Sequence, residues 1–384
     1  MKKYILLLIV PFLSFGQGWV QTYETGVGNS VKQTSEGGFI ITGNIYTNGS
    51  SFLMKVDSSG NEEWSNIQEG FSFDEPCCSY GSFSSSSVIE LNSEYIYSSN
   101  ETGGGFDSWW SGSSVKKVDY LGQNAWSVSS PTGVEMWPGG GNSHTSKIIL
   151  NTNNEFIYVG SYNTTDLGGN TISFVFIQSI DSNGQINWTQ NYESWGSPTV
   201  CQTIDGGYII ANMSGLIKTN SIGIFEWSNN NITGNSIKQT NTGGYIISNN
   251  EAITKFDSNW NTEWSQDWNT VFNIPMNELI GPTGGNNIVI TEDNRYVTTG
   301  TINNNGQYIY LICFNPDGSI NWLQTFGGFN TSGTGNDVQK TIDGGYVITG
   351  SLNDNICIIK TDSEGNLTST NIIETPTIKK NLIT

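Results

Sequence analysis

Apolar positions along this chain come in short runs bounded by Gly, Asn, Asp and Ser, a pattern that predicts many short strands and tight turns rather than helices. One run recurs with a fixed opening, an aromatic residue followed by Ile or Val: Phe39-Ile40, Tyr95-Ile96, Phe156-Ile157, Tyr208-Ile209, Tyr245-Ile246, Tyr296-Val297 and Tyr346-Val347. A second apolar run after each pair ends at Asp57, Asp119, Asp181, Asn220, Asp257, Asn315 or Asp362. Seven residues further on stand Trp64, Trp126, Trp188, Trp227, Trp264 and Trp322, and in the last unit Ser369.

Each unit reads as four strands: a β-branched strand A, the aromatic-led strand B, an apolar strand C ending at the Asp or Asn, and strand D carrying the Trp. The A–B and C–D turns use Gly-Gly or Asp-Ser-x-Gly-Asn, residues that tolerate positive φ and bond their own backbone. A four-stranded unit repeated radially is a propeller blade, so the expectation is an all-β fold, a seven-bladed β-propeller of four-stranded antiparallel blades over residues 17–371. The tryptophan missing at Ser369 has a counterpart at Trp19, since Trp19-Val20-Gln21-Thr22-Tyr23 matches Trp322-Leu323-Gln324-Thr325-Phe326. Residues 19–23 are therefore expected to complete blade seven and close the ring, which hides the two raw sheet edges. Trp19, Trp64, Trp126, Trp188, Trp227, Trp264 and Trp322 are expected to dock between neighbouring blades.

Ahead of the first unit, Met1-Lys2-Lys3 leads into an apolar run and then Ser14, Phe15, Gly16 and Gln17. A basic start, an apolar core too short for a bilayer and a small residue at the cut describe a secretory signal over residues 1–16. Residues 372–384 read as a C-terminal linker or tail. The formal charge of −19, more negative still once Lys2 and Lys3 are removed, disfavours nucleic acid and anionic lipid as partners. No stretch is long enough for a membrane span, and a monomer is expected.

The unit Gly-Gly-Tyr-Ile-Ile followed by Lys-x-Asp-Ser-x-Gly-Asn-x-x-Trp is similar to the secreted propeller-repeat proteins of Bacteroidetes-type bacteria. The step from Asp to Trp also resembles the tryptophan-docking repeats of pyrroloquinoline-quinone-type propellers. The first resemblance implies delivery to the cell surface or the medium, and residues 375–384 look like the start of a type IX secretion sorting domain that then stops. Without a sorting signal the expected location becomes the periplasm. The second resemblance implies a quinone cofactor, against which stands the lack of matching cofactor-binding acids; no cofactor is assigned.

Strand order puts the A–B and C–D turns on one side and the B–C and D–A connections on the other. The latter range from a few residues, as at 213–215, to long segments at 65–86, 127–146 and 265–287. Irregular loops on a rigid scaffold are where binding usually lives. Trp109, Trp110, Trp137, Trp195 and Trp268 fall on that side with Asp107, Glu135 and Glu193, whereas Trp260 sits in a C–D turn. Indole faces beside carboxylates suit neutral sugars, so these residues are the ligand-binding candidates, for a glycan or a surface protein. The opposing reading makes the same tryptophans small cores for the loops.

Catalysis is not assigned. His144 is the single histidine, which leaves a Ser-His-Asp or Cys-His arrangement one residue to build on, and excludes a histidine-based zinc site. The Asp-Ser-x-Gly-Asn turns lack the closing Glu of a calcium loop, so no metal is assigned, and calcium between acidic loops stays open. Cys201, Cys313 and Cys357 read as buried thiols on strands, while the state of Cys77-Cys78 is undetermined. A binding or adhesion module, a polysaccharide-cleaving enzyme with a carboxylate pair, and a structural spacer are the three functional expectations.

Overall fold

The computed structural model describes residues 18–72, 80–105, 108–131, 143–165, 169–272, 283–303, 306–328 and 331–367, and within them the chain is an all-β propeller. The signal segment, the tail and Cys77-Cys78 lie outside the described residues. The third repeat shows the unit plainly: strands Ser143–Leu150, Phe156–Thr165, Thr171–Ile180 and Ile186–Glu193 pair in sequence as an antiparallel meander. Its B and C strands are buried on both faces because each sheet is sandwiched between two others. Its D strand is partly exposed at the rim.

The expected partition into seven four-stranded blades needs correction. Five sheets carry the four-stranded pattern, and the two ends of the repeat array share one seven-stranded sheet. One of the five, built on Val88–Leu91, Glu94–Gly105, Ser108–Val118 and Asn124–Ser129, gains two further strands, Phe71–Ser72 and Tyr80–Ser84. The physical reason for the fused sheet is a single long strand, Trp19–Gln33. Its first half pairs with Asn355–Thr361, with Trp19 opposite Lys360 and Thr22 opposite Cys357. Its second half pairs with Phe39–Ile45, with Gly26 opposite Ile45 and Gln33 opposite Phe39. What reads in sequence as a closing strand followed by a separate first blade is one continuous element with a shift in register after Thr22.

The core lies between the sheets. Val31, Phe39 and Ile41 of the first repeat pack with Val347, Ile356 and Ile358 of the last, and Trp19 and Tyr23 cover that cluster. Corresponding clusters join the third repeat to the fourth and the sixth to the last. Radial packing of this kind buries both faces of every sheet without a central hydrophobic ball.

The tryptophans form the outer joints. Trp19 packs against Gly60, Trp64 against Gly122, Trp126 against Gly184, Trp188 against Gly223, Trp264 against Gly318 and Trp322 against Gly365, each glycine lying in the C–D turn of the following repeat. Several indole N–H groups donate to the same turn: Trp19 to the Ser58 carbonyl at 3.2 Å, Trp64 to Tyr120 at 3.1 Å, Trp126 to Ser182 at 3.2 Å and Trp264 to Pro316 at 3.0 Å. Each ring also meets the aromatic residue that opens the next strand B, as Trp19 meets Phe39 at 5.9 Å and Trp322 meets Tyr346 at 5.8 Å. Gly318 has φ of +85° and no room for a methyl group, whose carbon would stand 2.6 Å from the Trp264 ring. Gly318→Ala is expected to cost about 1–3 kcal/mol, read as a lower urea midpoint.

The fifth repeat replaces that glycine by Trp260. Its backbone takes φ of +66°, and its ring stacks on Tyr245 at 4.3 Å and meets Trp227 edge-on at 5.5 Å. One indole thus takes over the aromatic contact that Trp227 would otherwise make with Tyr245. The Asp turns are self-contained: Asp57 Oδ1 accepts from the Ser59 and Asn61 N–H groups at 2.8 and 2.9 Å, and Oδ2 from Asn61 Nδ2 at 2.8 Å. The Asn61 bonds are the main cause of its lowered pKa. Cys201, Cys313 and Cys357 are free and buried, and burial pushes their thiols up, to about 11 for Cys201 and Cys313 and about 12 for Cys357.

Candidate functional site

On the side of the B–C and D–A connections, between the third and fourth repeats, the sheets part into a groove of about 600 Å³. Strand Thr171–Ile180 and the residues after Ile186–Glu193 form one wall, and strands Gly215–Thr219 and Phe225–Asn229 the other. Trp195, 54% exposed, and Phe225, 52% exposed, line it, with Glu193, Ser194 and Asn230 supplying polar atoms.

Trp195 is exposed on a fixed backbone. Ser214 Oγ accepts from the Trp195 N–H at 3.4 Å, donates to the Trp195 carbonyl at 3.2 Å and lies 2.6 Å from Ser194 Oγ. Asn212 holds both serines, donating to Ser194 Oγ and accepting from Ser214 Oγ, each at 2.9 Å. Gly196 follows with φ of +102°, a turn that sends the chain back toward the next strand. The side chains of Ser194, Asn212 and Ser214 therefore fix the loop that presents the indole, and the Tyr192 hydroxyl donates to the Gly223 carbonyl beneath it.

The other candidates are placed differently. Trp268 is 1% exposed and cannot offer a face to a ligand. It opens the short helix Trp268–Phe272, donates its N–H to the Asn249 carbonyl at 2.8 Å and packs against Phe272, Tyr310 and Phe314. The neighbouring Asp267 accepts from the Thr270 N–H at 3.0 Å and caps that helix. Trp109 and Trp110 were expected in a loop, yet their backbone belongs to strand Ser108–Val118, opposite Gly104 and Gly103. Asp107, Glu135 and Trp137 lie outside the described residues. Of the eight candidates, the groove brings together Trp195 and Glu193.

His144 is the second residue of strand Ser143–Leu150, opposite Ser161. Burial lowers its pKa, so the imidazole is neutral at neutral pH. Phe225 and Ser214 were not singled out from sequence, although Phe225 ends the exposed apolar stretch Ile222, Ile224 and Phe225, an arrangement that marks a wet strand edge. Among the described residues, no group of three or more His, Cys, Asp or Glu is arranged to hold a metal, and no helix is long and apolar enough to cross a membrane.

No protein-family model and no curated protein matches the chain. Among solved structures it is similar to the WD40 domain of Neurospora crassa Pan2, with a TM-score of 0.52 and 9% identity, covering 92% of this chain and 98% of that one. It is also similar to a protein of unknown function from Bacteroides caccae, with a TM-score of 0.46 and 9% identity, covering 80% of this chain and 94% of that one. At such identity the likeness to the WD40 domain speaks for architecture alone: the chain has the β-propeller fold.

Proposed function

We propose that the chain is an exported binding module and that the groove between the third and fourth repeats holds a neutral glycan. The observation that carries this reading is the exposed Trp195 indole on a hydrogen-bonded backbone, in a groove that Phe225, also exposed, and hydroxyl, amide and carboxylate groups line as well. Sugar C–H faces stack on such rings while hydroxyls bond the polar rim. Export rests on the apolar leader at residues 1–16, and the site belongs to a mature domain of residues 17–371. Delivery to the cell surface or the medium follows from the repeat resemblance.

Binding is preferred over glycan cleavage because Glu193 is the one carboxylate lining the groove among the described residues, whereas both glycosidase mechanisms require two across the scissile bond. Trp195→Ala is expected to weaken retention on an insoluble polysaccharide or a glycan array about tenfold or more, with an unchanged melting temperature because the indole is mostly solvated. A full complement of binding in Trp195→Ala, or polymer turnover that Glu193→Gln abolishes, would overturn the reading.

A further inference from the structure

The strands A are the innermost of each repeat and contact one another around a central channel. Toward the A–B turns the channel opens into a cavity of about 290 Å³ whose polar lining includes Lys32, Glu90, Lys147, Lys238, Asn287 and Gln339. Three lysines from three separate strands therefore share one small space in a chain whose formal charge is −19.

The remaining cations among the described residues show how unusual this is. Lys55, Lys117, Lys218, Lys255, Arg295, Lys340 and Lys360 are ion-paired with Asp or Glu, and Lys116 reaches the Gln68 amide oxygen at 2.9 Å. Lys32 donates to Gln339 Oε1 at 2.6 Å. The side chains of Lys147 and Lys238 make no hydrogen bond or close ion pair among the described residues, Asp337 acts on both only through longer-range attraction, and both line the cavity.

The nearby carboxylates are already engaged. Asp337, 1% exposed, accepts from Ser30 Oγ and the Val31 N–H at 3.0 Å, from Asn287 Nδ2 at 2.5 Å and from Gln339 Nε2 at 3.0 Å. Glu90 turns both oxygens to Ser35, each at 2.8 Å. Burial, joined by the charges of Lys147 and Lys238, brings Lys32 down to about 7 despite Asp337, and burial likewise lowers Lys238. Three lysines facing one carboxylate leave like charge only partly compensated in a desolvated cavity, which is costly, and an added anion lowers that cost.

We propose that this end of the channel is a binding site for a small oxyanion of phosphate or carboxylate type, held by Lys32, Lys147 and Lys238. The site lies on the opposite side of the propeller from the Trp195 groove and does not depend on it.

The test is isothermal titration of the mature chain with inorganic phosphate and, separately, with succinate. The proposal expects saturable one-site binding to at least one anion, weakened tenfold or more in Lys147→Met/Lys238→Met and retained in Trp195→Ala. The double variant should keep a cooperative melting transition, since loss of lysine–lysine repulsion offsets the lost attraction to Asp337. The milder Lys147→Gln, with an intermediate loss, covers the case in which the double variant does not fold. Equal affinity in parent and lysine variants, or no heat from either anion up to about 10 mM, would overturn it.

Discussion

Deleting residues 18–24 abolishes cooperative unfolding: that is the expected result of removing the half-strand that joins the last repeat to the first. The loss has three parts. Strand Asn355–Thr361 would surrender its outer ladder, from Trp19 opposite Lys360 to Thr22 opposite Cys357, and become an open edge. Ile356, Cys357, Ile358 and Ile359, all at most 1% exposed, would gain solvent access on that side. The joint to the first repeat would vanish as well, with the Trp19 ring over Gly60 and the Tyr23 hydroxyl on the Gly60 carbonyl at 2.7 Å. A tryptophan truncation alone costs ~3 kcal/mol or more, and a domain is stable by only about 5–15 kcal/mol. Far-ultraviolet circular dichroism during a urea titration reads the outcome. A sigmoidal transition with the parent midpoint would count against it.

The second large effect is expected at Asp337. Its carboxylate accepts hydrogen bonds from three repeats, through Ser30 and Val31 of the first, Asn287 of the sixth and Gln339 of the last. Alanine would leave those donors buried without an acceptor, and Lys32 without its opposing charge, a loss of about 3–5 kcal/mol. The acid dependence has a definite sign. Burial alone would raise the Asp337 pKa, but Lys147, Lys32 and the Val31 N–H outweigh it and hold it below the ordinary 3.8. A carboxyl with a depressed folded pKa contributes its full stability above the unfolded value, and loses it as pH falls through the folded one. Urea midpoints of parent and Asp337→Asn should therefore differ most near neutrality and converge below about pH 4. A constant difference across that range would show that the charge is not what matters.

Much of the architecture is legible because the physical demands repeat. Every B strand must pack an aromatic residue under an indole, and every C–D turn, with Trp260 as the exception, needs a residue without a side chain where the neighbouring tryptophan lands. Trp260 carries a visible signal, an indole in the glycine place of Asp257-Ser258-Asn259-Trp260-Asn261, but its stacking on Tyr245 is a tertiary fact. The division into blades is less legible. The sequence separates residues 19–23 from the first unit, but one strand runs from Trp19 to Gln33, and Gly26 and Gly28 within it lie tight against Asn44 and Thr349, where a side chain would not fit.

The site was legible in part for a related reason. A tryptophan in a connection reads identically whether it faces water or core. Trp195 is outward because Ser214 and Asn212 hold its loop over a groove, while Trp268 is inward because Phe272, one turn along a helix too short to show periodicity, completes an aromatic cluster with it. Lys32, Lys147 and Lys238 are separated by about a hundred residues each, and only the ring of inner strands brings them together. One trace was available: Lys32 and Lys238 both stand two residues before the threonine that opens an A–B turn, Thr34 and Thr240.

The central claim is that the amino-terminal strand is structurally part of the last repeat. Amide hydrogen exchange followed by mass spectrometry on the intact chain tests it without any substitution. Peptides covering residues 19–25 should exchange as slowly as those covering 355–361, and both should open together as urea is added. Exchange of residues 19–25 at the rate of a free terminus, while 355–361 stays protected, would contradict it.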